Sequence, residues 1–253
     1  MKLESNALIM DFDPLKERTE AGSTHNIGEG VTLADQRKFR YAVAGEAITA
    51  GYLAVAPTPQ TSLSGLAVLT GAKGAQVITF TNAAIATIDT VAECAYFSEG
   101  YVIVSYGTAS PTGIGQVFKI KNLEPVATGA TGTVNLYEPI QVALNTASKI
   151  DIVQNTYNGV IMDVLTSNVP AGVSLSGITA AGDFGWLQTR GYCGVMADGT
   201  IDAHQEIVAD GSTAGAVDAA SETIGTTVEQ HILGKSYYAG ASGYAHAVFL
   251  RIE

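Results

Sequence analysis

The sequence predicts an all-β protein: a β-sandwich or barrel-like body, of one or two β modules, behind an extended N-terminal arm. Three observations carry that expectation. Short apolar runs alternate with polar positions at a period of two. Clusters of Gly, Pro, Asn and Thr separate the runs, at the spacing of sandwiches and barrels. The Ala-rich stretch 83–95 allows a helical turn, but β-branched Ile85, Thr87, Ile88, Thr90 and Val91 argue against a long helix.

Residues 1–35 differ from the rest. Their charge is mixed, Gly22, Gly28 and Gly30 interrupt them, and no period of two runs through them. Asp13 can cap a short helix that has Pro14 at its first position and continues Leu15-Lys16-Glu17-Arg18. The remainder is an arm. Its apolar residues Leu8, Ile9, Met10, Phe12 and Leu15 call for a partner surface, in the same chain or in a neighbour.

Strand patterning begins at Arg37-Lys38-Phe39-Arg40-Tyr41-Ala42-Val43, which puts Phe39, Tyr41 and Val43 on one face. Tyr52–Val55, Leu66–Leu69, Gln76–Phe80, Tyr101–Tyr106, Gln116–Ile120 and Thr133–Tyr137 continue the series. A second block opens with Gly159–Val164 and leads into Phe184–Tyr192. Asp198-Gly199 and Asp210-Gly211 mark tight turns. Thr226–Ile232 and Ala247–Ile252 close the chain as strands. The expected division is an arm over 1–35, a β domain over 36–158 and a C-terminal β module over 159–253. No linker separates the last two, so they can also pack as one body.

Composition bounds the function. Apolar residues make up 47% of the chain and charged residues 15%, against roughly 25% charged in an ordinary domain. Such a chain buries a core and has few groups left for chemistry. Net charge is −11. Residues 41–253 hold 7 basic and 17 acidic side chains, a net of −10. That acidic body repels phosphate backbones, so direct nucleic-acid binding is disfavoured. No apolar stretch is long enough to span a membrane, and Met1–Asn6 lacks the basic start and apolar block of a secretory signal. Cys94 and Cys193 lie in apolar surroundings and are expected to be free, buried thiols.

The search for catalytic patterns returns little. Gly172-Val173-Ser174-Leu175-Ser176 lacks the second Gly of a nucleophile elbow, and Gly113-Ile114-Gly115-Gln116-Val117-Phe118 falls short of GxGxxG. His25, His204, His231 and His246 show no metal-ligand spacing. Trp186 is expected as a core or interface aromatic ahead of a sugar platform. The expectation is therefore a protein that is not an enzyme, with no cofactor and no metal.

A family resemblance adds to this reading. Asp35-Gln36-Arg37-Lys38-Phe39-Arg40-Tyr41-Ala42-Val43-Ala44-Gly45, followed by Ile48-Thr49-Ala50-Gly51-Tyr52-Leu53, resembles the opening of virion structural proteins of tailed bacteriophages. So do Glu99–Val104, Tyr137–Ile140, Tyr157–Ile161 and Phe184–Gly191. The Gly-rich C-terminal strand pattern, with Ile224-Gly225 and the final Val-x-Leu-x-Ile, is similar to small capsid cement modules. Gln36 stands where the pattern has Gly.

The resemblance implies a decoration (cement) protein on the outer surface of the virion head, made in the host bacterial cytoplasm. Its implied partners are the major capsid protein and itself, as a homo-oligomer with a trimer favoured. The expected capsid or subunit interface comprises Leu8, Ile9, Met10, Phe12 and Leu15 of the arm together with Arg37, Phe39 and Tyr41. Two other classes compete. A tail or fibre protein would bind a host receptor or glycan through exposed aromatics, with Trp186, Tyr237, Tyr238 and Tyr244 the first to inspect. A secreted β-fold hydrolase would need convergent carboxylates or a triad in a cleft.

Overall fold

A computed structural model describes residues 25–58, 61–82, 88–107, 110–163, 168–209, 212–220 and 231–253. Strand accounts for 48% and helix for 4%, so the all-β expectation holds. The chain divides into two compact units. Met1–Pro57 and Thr156–Glu253 form one, and Thr58–Asn155 form the other.

The first unit contributes β1 (Gly30–Thr32), β2 (Lys38–Ala44) and β3 (Leu53–Val55) before the chain leaves it. The second unit holds β4 (Leu66–Thr70), β5 (Val77–Thr81), helix α1 (Val91–Ala95), β6 (Tyr101–Gly107), β7 (Val117–Leu123), β8 (Thr131–Leu136) and β9 (Ser148–Val153). The chain then returns to the first unit with β10 (Asn158–Val160), β11 (Pro170–Ser174), β12 (Phe184–Met196) and β13 (Glu206–Ala209). It ends there with β14 (Val217–Ala219), β15 (Ile232–Ser236) and β16 (Ala245–Arg251).

The second unit is a closed antiparallel barrel in the order β4-β5-β8-β7-β6-β9. Period-two alternation points Val68, Phe80, Val102, Val104, Phe118, Ile120, Val134, Ile150 and Ile152 inward, and they fill the interior. Helix α1 is one turn long and starts in a capping box. Thr90 Oγ1 accepts from the Glu93 amide, while the Glu93 carboxylate accepts from the Thr90 amide. The turn delivers Cys94 and Phe97 to the barrel core.

The first unit is one ten-stranded sheet. Its path runs β1-β2-β12-β16-β15-β13-β14, with β10 parallel to β2, and β11 joining β12 to β3. This corrects the expected division at 158/159. Phe184 pairs with Val43 and Trp186 with Tyr41, so β2 belongs with the C-terminal segment and not with the strands that follow it. The physical reason is burial. Phe39, Tyr41 and Trp186 form a common apolar cluster that neither segment could cover alone.

The arm boundary shifts as well. Gly30, Val31 and Thr32 pair with Arg40, Phe39 and Lys38, so residues 25–35 belong to the body. The turn between β1 and β2 closes when the Gln36 amide donates to the Leu33 carbonyl (3.0 Å) and the Leu33 amide to the Arg37 carbonyl (2.9 Å). Gln36 follows that turn at φ 69°, the left-handed region that suits Gly. The helix expected at Asp13–Arg18 and the Leu8–Leu15 cluster lie outside the described residues, as do the Asp210-Gly211 turn and most of the strand expected at 226–232. Strands β1, β9, β11, β13 and β14 are additional to those expected. Among the described residues no helix is long and apolar enough to cross a membrane.

Replacing Gln36 by Gly should relieve the left-handed strain, less the extra chain entropy of Gly. Chemical denaturation should show a gain of about 1 kcal/mol with an unchanged slope. A loss of stability would mean that the Gln36 side chain contributes more than its backbone costs.

Candidate functional site

The site is built on β12, at thirteen residues the longest strand described. Its N-terminal half pairs with β2, and its C-terminal half with β16. The register against β2 slips between Gln188 and Arg190, leaving Thr189 as an extra residue. Gln188 is fully buried and holds this irregularity. Its Nε2 donates to the carbonyls of Arg190 and Tyr192, both at 2.9 Å. Gly191 follows at φ 90°, where a Cβ would lie 2.8 Å from Cγ of Arg37.

Beyond the slip, alternation is clean. Cys193 and Val195 enter the core while Arg190, Tyr192 and Gly194 face outward. On β16, His246, Val248 and Leu250 are buried and Ala245, Ala247 and Arg251 exposed. Register then sorts the outer face into rows. Lys38, Arg190 and Arg251 oppose one another across three strands. Two residues along, Tyr192 opposes Phe249, which opposes Lys235, which opposes Glu206.

The aromatics of this face pack edge to face. Tyr192 meets Phe249 at 5.2 Å and Tyr237 at 5.6 Å between ring centroids, and Tyr237 meets Tyr238 at 4.7 Å. His204 reaches Tyr237 at 6.1 Å. Each such pair contributes about 0.5–1.5 kcal/mol beyond its buried area and fixes the rings at little further entropy cost. Tyr192 and Tyr238 nonetheless remain 58% and 66% exposed. Asp35, Gln36, Arg37, Gly191, Tyr192 and Phe249 line an open hollow of about 310 Å³ beside them. Tyr238, Gly240, Tyr244 and His246 contribute to a second hollow.

The electrostatics of the face are simple. Arg37 Nε donates to the Asp35 carboxylate at 2.6 Å. Burial nudges the Asp35 carboxyl upward, but hydrogen bonds and charge from Arg37 outweigh it and hold it below its usual range. Arg40 Nε and the Tyr157 hydroxyl both donate to Glu253 Oε1, and Arg190 Nη1 reaches the Glu253 carbonyl oxygen. Burial, and then the Glu253 charge, push the Tyr157 phenol above its ordinary value. Among the described residues, Lys38 and Arg251 have no ion-pair partner.

The expected interface residues fare differently. Arg37 lines the hollow. Phe39 and Tyr41 do not face a partner: they are 0% and 3% exposed, packed with Trp186 in the chain's own core. They occupy the face of β2 that β12 brings against Trp186, which burial within the chain already satisfies. Trp186, at 1% exposure, is a core residue and no platform for a ligand. Tyr237, Tyr238 and Tyr244 are exposed. Leu8, Ile9, Met10, Phe12 and Leu15 lie outside the described residues. Sequence reasoning missed Tyr192, Phe249 and the cation row. Alternation within β12 and β16 signals their outward direction, but their convergence depends on a register between strands more than fifty residues apart.

The nucleophile inventory is short. Cys94 and Cys193 are free and buried. Burial pushes the Cys94 thiol up to about 11, helped by nearby carboxylates, and the Cys193 thiol up to about 12 against a small opposing pull from Arg37. Among the described residues no three His, Cys, Asp or Glu side chains gather as a metal cage. Comparison of the chain with protein-family models, curated proteins and solved structures yields no match.

Gln188→Leu would strip two part-buried carbonyls of a donor while removing the unpartnered Oε1, and should lower stability by about 1 kcal/mol, read by chemical denaturation. Loss of that size should accompany altered near-ultraviolet signal from Tyr192 as the slip rearranges. For the thiols, both raised above pH 9, a thiol-specific reagent at pH 8 should modify neither residue in the folded protein and both in denaturant. Rapid labelling of the native chain would place a thiol at the surface.

Proposed function

We propose that this chain is a structural binding protein that decorates the outside of a tailed-phage head, where it binds the major capsid protein and stabilises the shell as a homo-oligomer. The observation that carries the reading is the outer face of β12, β16 and β15. Rigid exposed tyrosines stand there beside arginines, on a body that is otherwise acidic and poor in charge. Tyr and Arg on a flat, preorganised surface are the composition of protein docking sites. The reading also rests on the resemblance of residues 35–53 and of the later strands to virion structural proteins. It makes the chain a scaffold for contacts and not an enzyme. Its acidic surface suits the outer side of a head, away from packaged DNA.

A second reading has an observation of its own. Tyr238 and Tyr244 edge an open hollow, which suits a tail or fibre protein that stacks a host glycan on aromatic rings.

Adding the purified chain to undecorated heads should raise their resistance to heat, because a ligand of the assembled state stabilises that state by linkage. The gain should saturate at a fixed ratio to the capsid protein. A chain lacking residues 1–24, which leaves β1 intact, should bind more weakly if the arm bridges subunits. Heads that are no more robust with the protein, together with binding to host cells or polysaccharide, would overturn the decoration reading in favour of the tail-associated one.

A further inference from the structure

Asp35, Gln36 and Arg37, the turn between β1 and β2, line the open hollow of about 310 Å³ together with Tyr192 and Phe249. Their hydrogen-bonding groups are largely unused. Asp35 accepts from the Arg37 amide at 3.1 Å and from Arg37 Nε at 2.6 Å, one on each carboxylate oxygen, which leaves lone pairs on both. Among the described residues, no protein group meets the two Nη atoms of Arg37 or the side-chain amide of Gln36. The guanidinium is nonetheless fixed. Asp35 holds its Nε, and its carbon stands 5.9 Å over the Phe39 ring. The Arg37 stem lies against Gly191, where a Cβ would come within 2.8 Å of Arg37 Cγ. A backbone cost accompanies the arrangement: Gln36 sits at φ 69° without being Gly. Strained non-Gly residues of this kind gather at ligand clamps.

We propose that this hollow is a binding site for one neutral sugar ring, packed on Tyr192 and hydrogen-bonded by Asp35, Gln36 and Arg37. A sugar hydroxyl both donates and accepts, as a Ser hydroxyl does. Two neighbouring hydroxyls therefore suit an acceptor beside a donor, and the Asp35–Arg37 pair supplies both. The C–H face of such a ring is apolar. It suits Tyr192, 58% exposed, and Phe249 beside it at 5.2 Å. Charge narrows the class. Asp35 opposes an anion and Arg37 opposes a cation, so the ion pair selects against both.

Volume limits the ligand. Small-molecule sites span about 300–1,000 Å³, and a hollow at the bottom of that range takes a single ring. An open site for one ring binds weakly, with a Kd of about 1 mM or above. Fixed donors and aromatic rings keep the ordering cost of that binding low. The site goes beyond both roles proposed above. It is separate from the hollow at Tyr238 and Tyr244. Its test uses the free chain, so its failure leaves head decoration standing.

Nuclear magnetic resonance titration of the full chain with glucose, galactose, mannose and N-acetylglucosamine tests the site. At least one of them should move the ring signals of Tyr192 and Phe249 and the side-chain signals of Arg37. The uronate of the bound sugar should bind several-fold more weakly. Tyr192→Ala should weaken binding about tenfold or more, and Arg37→Met, which keeps the stem, several-fold. Gln36→Gly should weaken binding several-fold with no loss of stability, a separation that a purely structural turn residue would not show. Thermal melting establishes that each variant is folded. Signals that none of the four sugars moves overturn the proposal. So does binding indifferent to Tyr192→Ala and Arg37→Met, or a uronate held more tightly than its neutral sugar. Binding lost on Tyr244→Ala and kept on Tyr192→Ala places the sugar in the second hollow and overturns it too. A polyproline peptide that moves the signals where no sugar does assigns the hollow to a protein partner instead.

Discussion

One strand organises the larger unit, and one side chain holds that strand in register. Phe184–Met196 must pair with β2 over its first half and β16 over its second. An uninterrupted ladder cannot serve both partners and also send Trp186, Leu187 and Val195 to three different apolar clusters. The extra residue at Thr189 resolves the conflict, and the buried amide of Gln188 makes it tolerable by donating to the two carbonyls that follow. Gln188 Oε1 is left buried without a partner, a cost of about 1–3 kcal/mol accepted for that geometry. The same slip sets which side chains look outward. Arg190 and Tyr192 are surface residues because the register changes just before them.

Much of the fold was legible because it rests on local rules. Period-two runs such as Tyr101–Tyr106 and Gln116–Ile120 are strands within one to three residues of their expected limits. Ser148–Val153, a strand additional to those expected, carries the same alternation, with Ile150 and Ile152 inward and Lys149 and Asp151 not. Thr90 and Glu93 spell the described α-helix as a capping pair, a signal hidden behind the β-branched residues around it. Gln36 takes the left-handed φ of 69° that Gly prefers, which nothing in its own side chain announces.

What could not be read was partnership. An alternating strand announces two faces but not which neighbour covers each. The pattern of β2 alone leaves Phe39 and Tyr41 as candidate surface anchors, whereas they belong to a buried cluster with Trp186, well over a hundred residues later. The candidate site is subject to the same limit. Tyr192 and Phe249 are unremarkable singly, and only their cross-strand pairing makes an aromatic surface. Exposed loop tyrosines such as Tyr238 and Tyr244 needed no register to be noticed, because no strand competes for them.

The barrel interrupts a sheet that it does not join. The chain leaves the larger unit at Pro57 and re-enters it at Thr156, and that ordering has a consequence in time. During synthesis at about 5–20 residues per second, β2 emerges roughly 7–28 seconds before β12. Throughout that interval Lys38–Ala44 waits for the Trp186 edge of its cluster, while the barrel, whose strands all lie between residues 66 and 153, can already close. A ribosome pausing inside the barrel segment would lengthen the wait of Phe39 and Tyr41 for Trp186. In this chain, the vulnerability of the nascent protein to chaperones and aggregation is set by the length of a domain to which those residues do not belong.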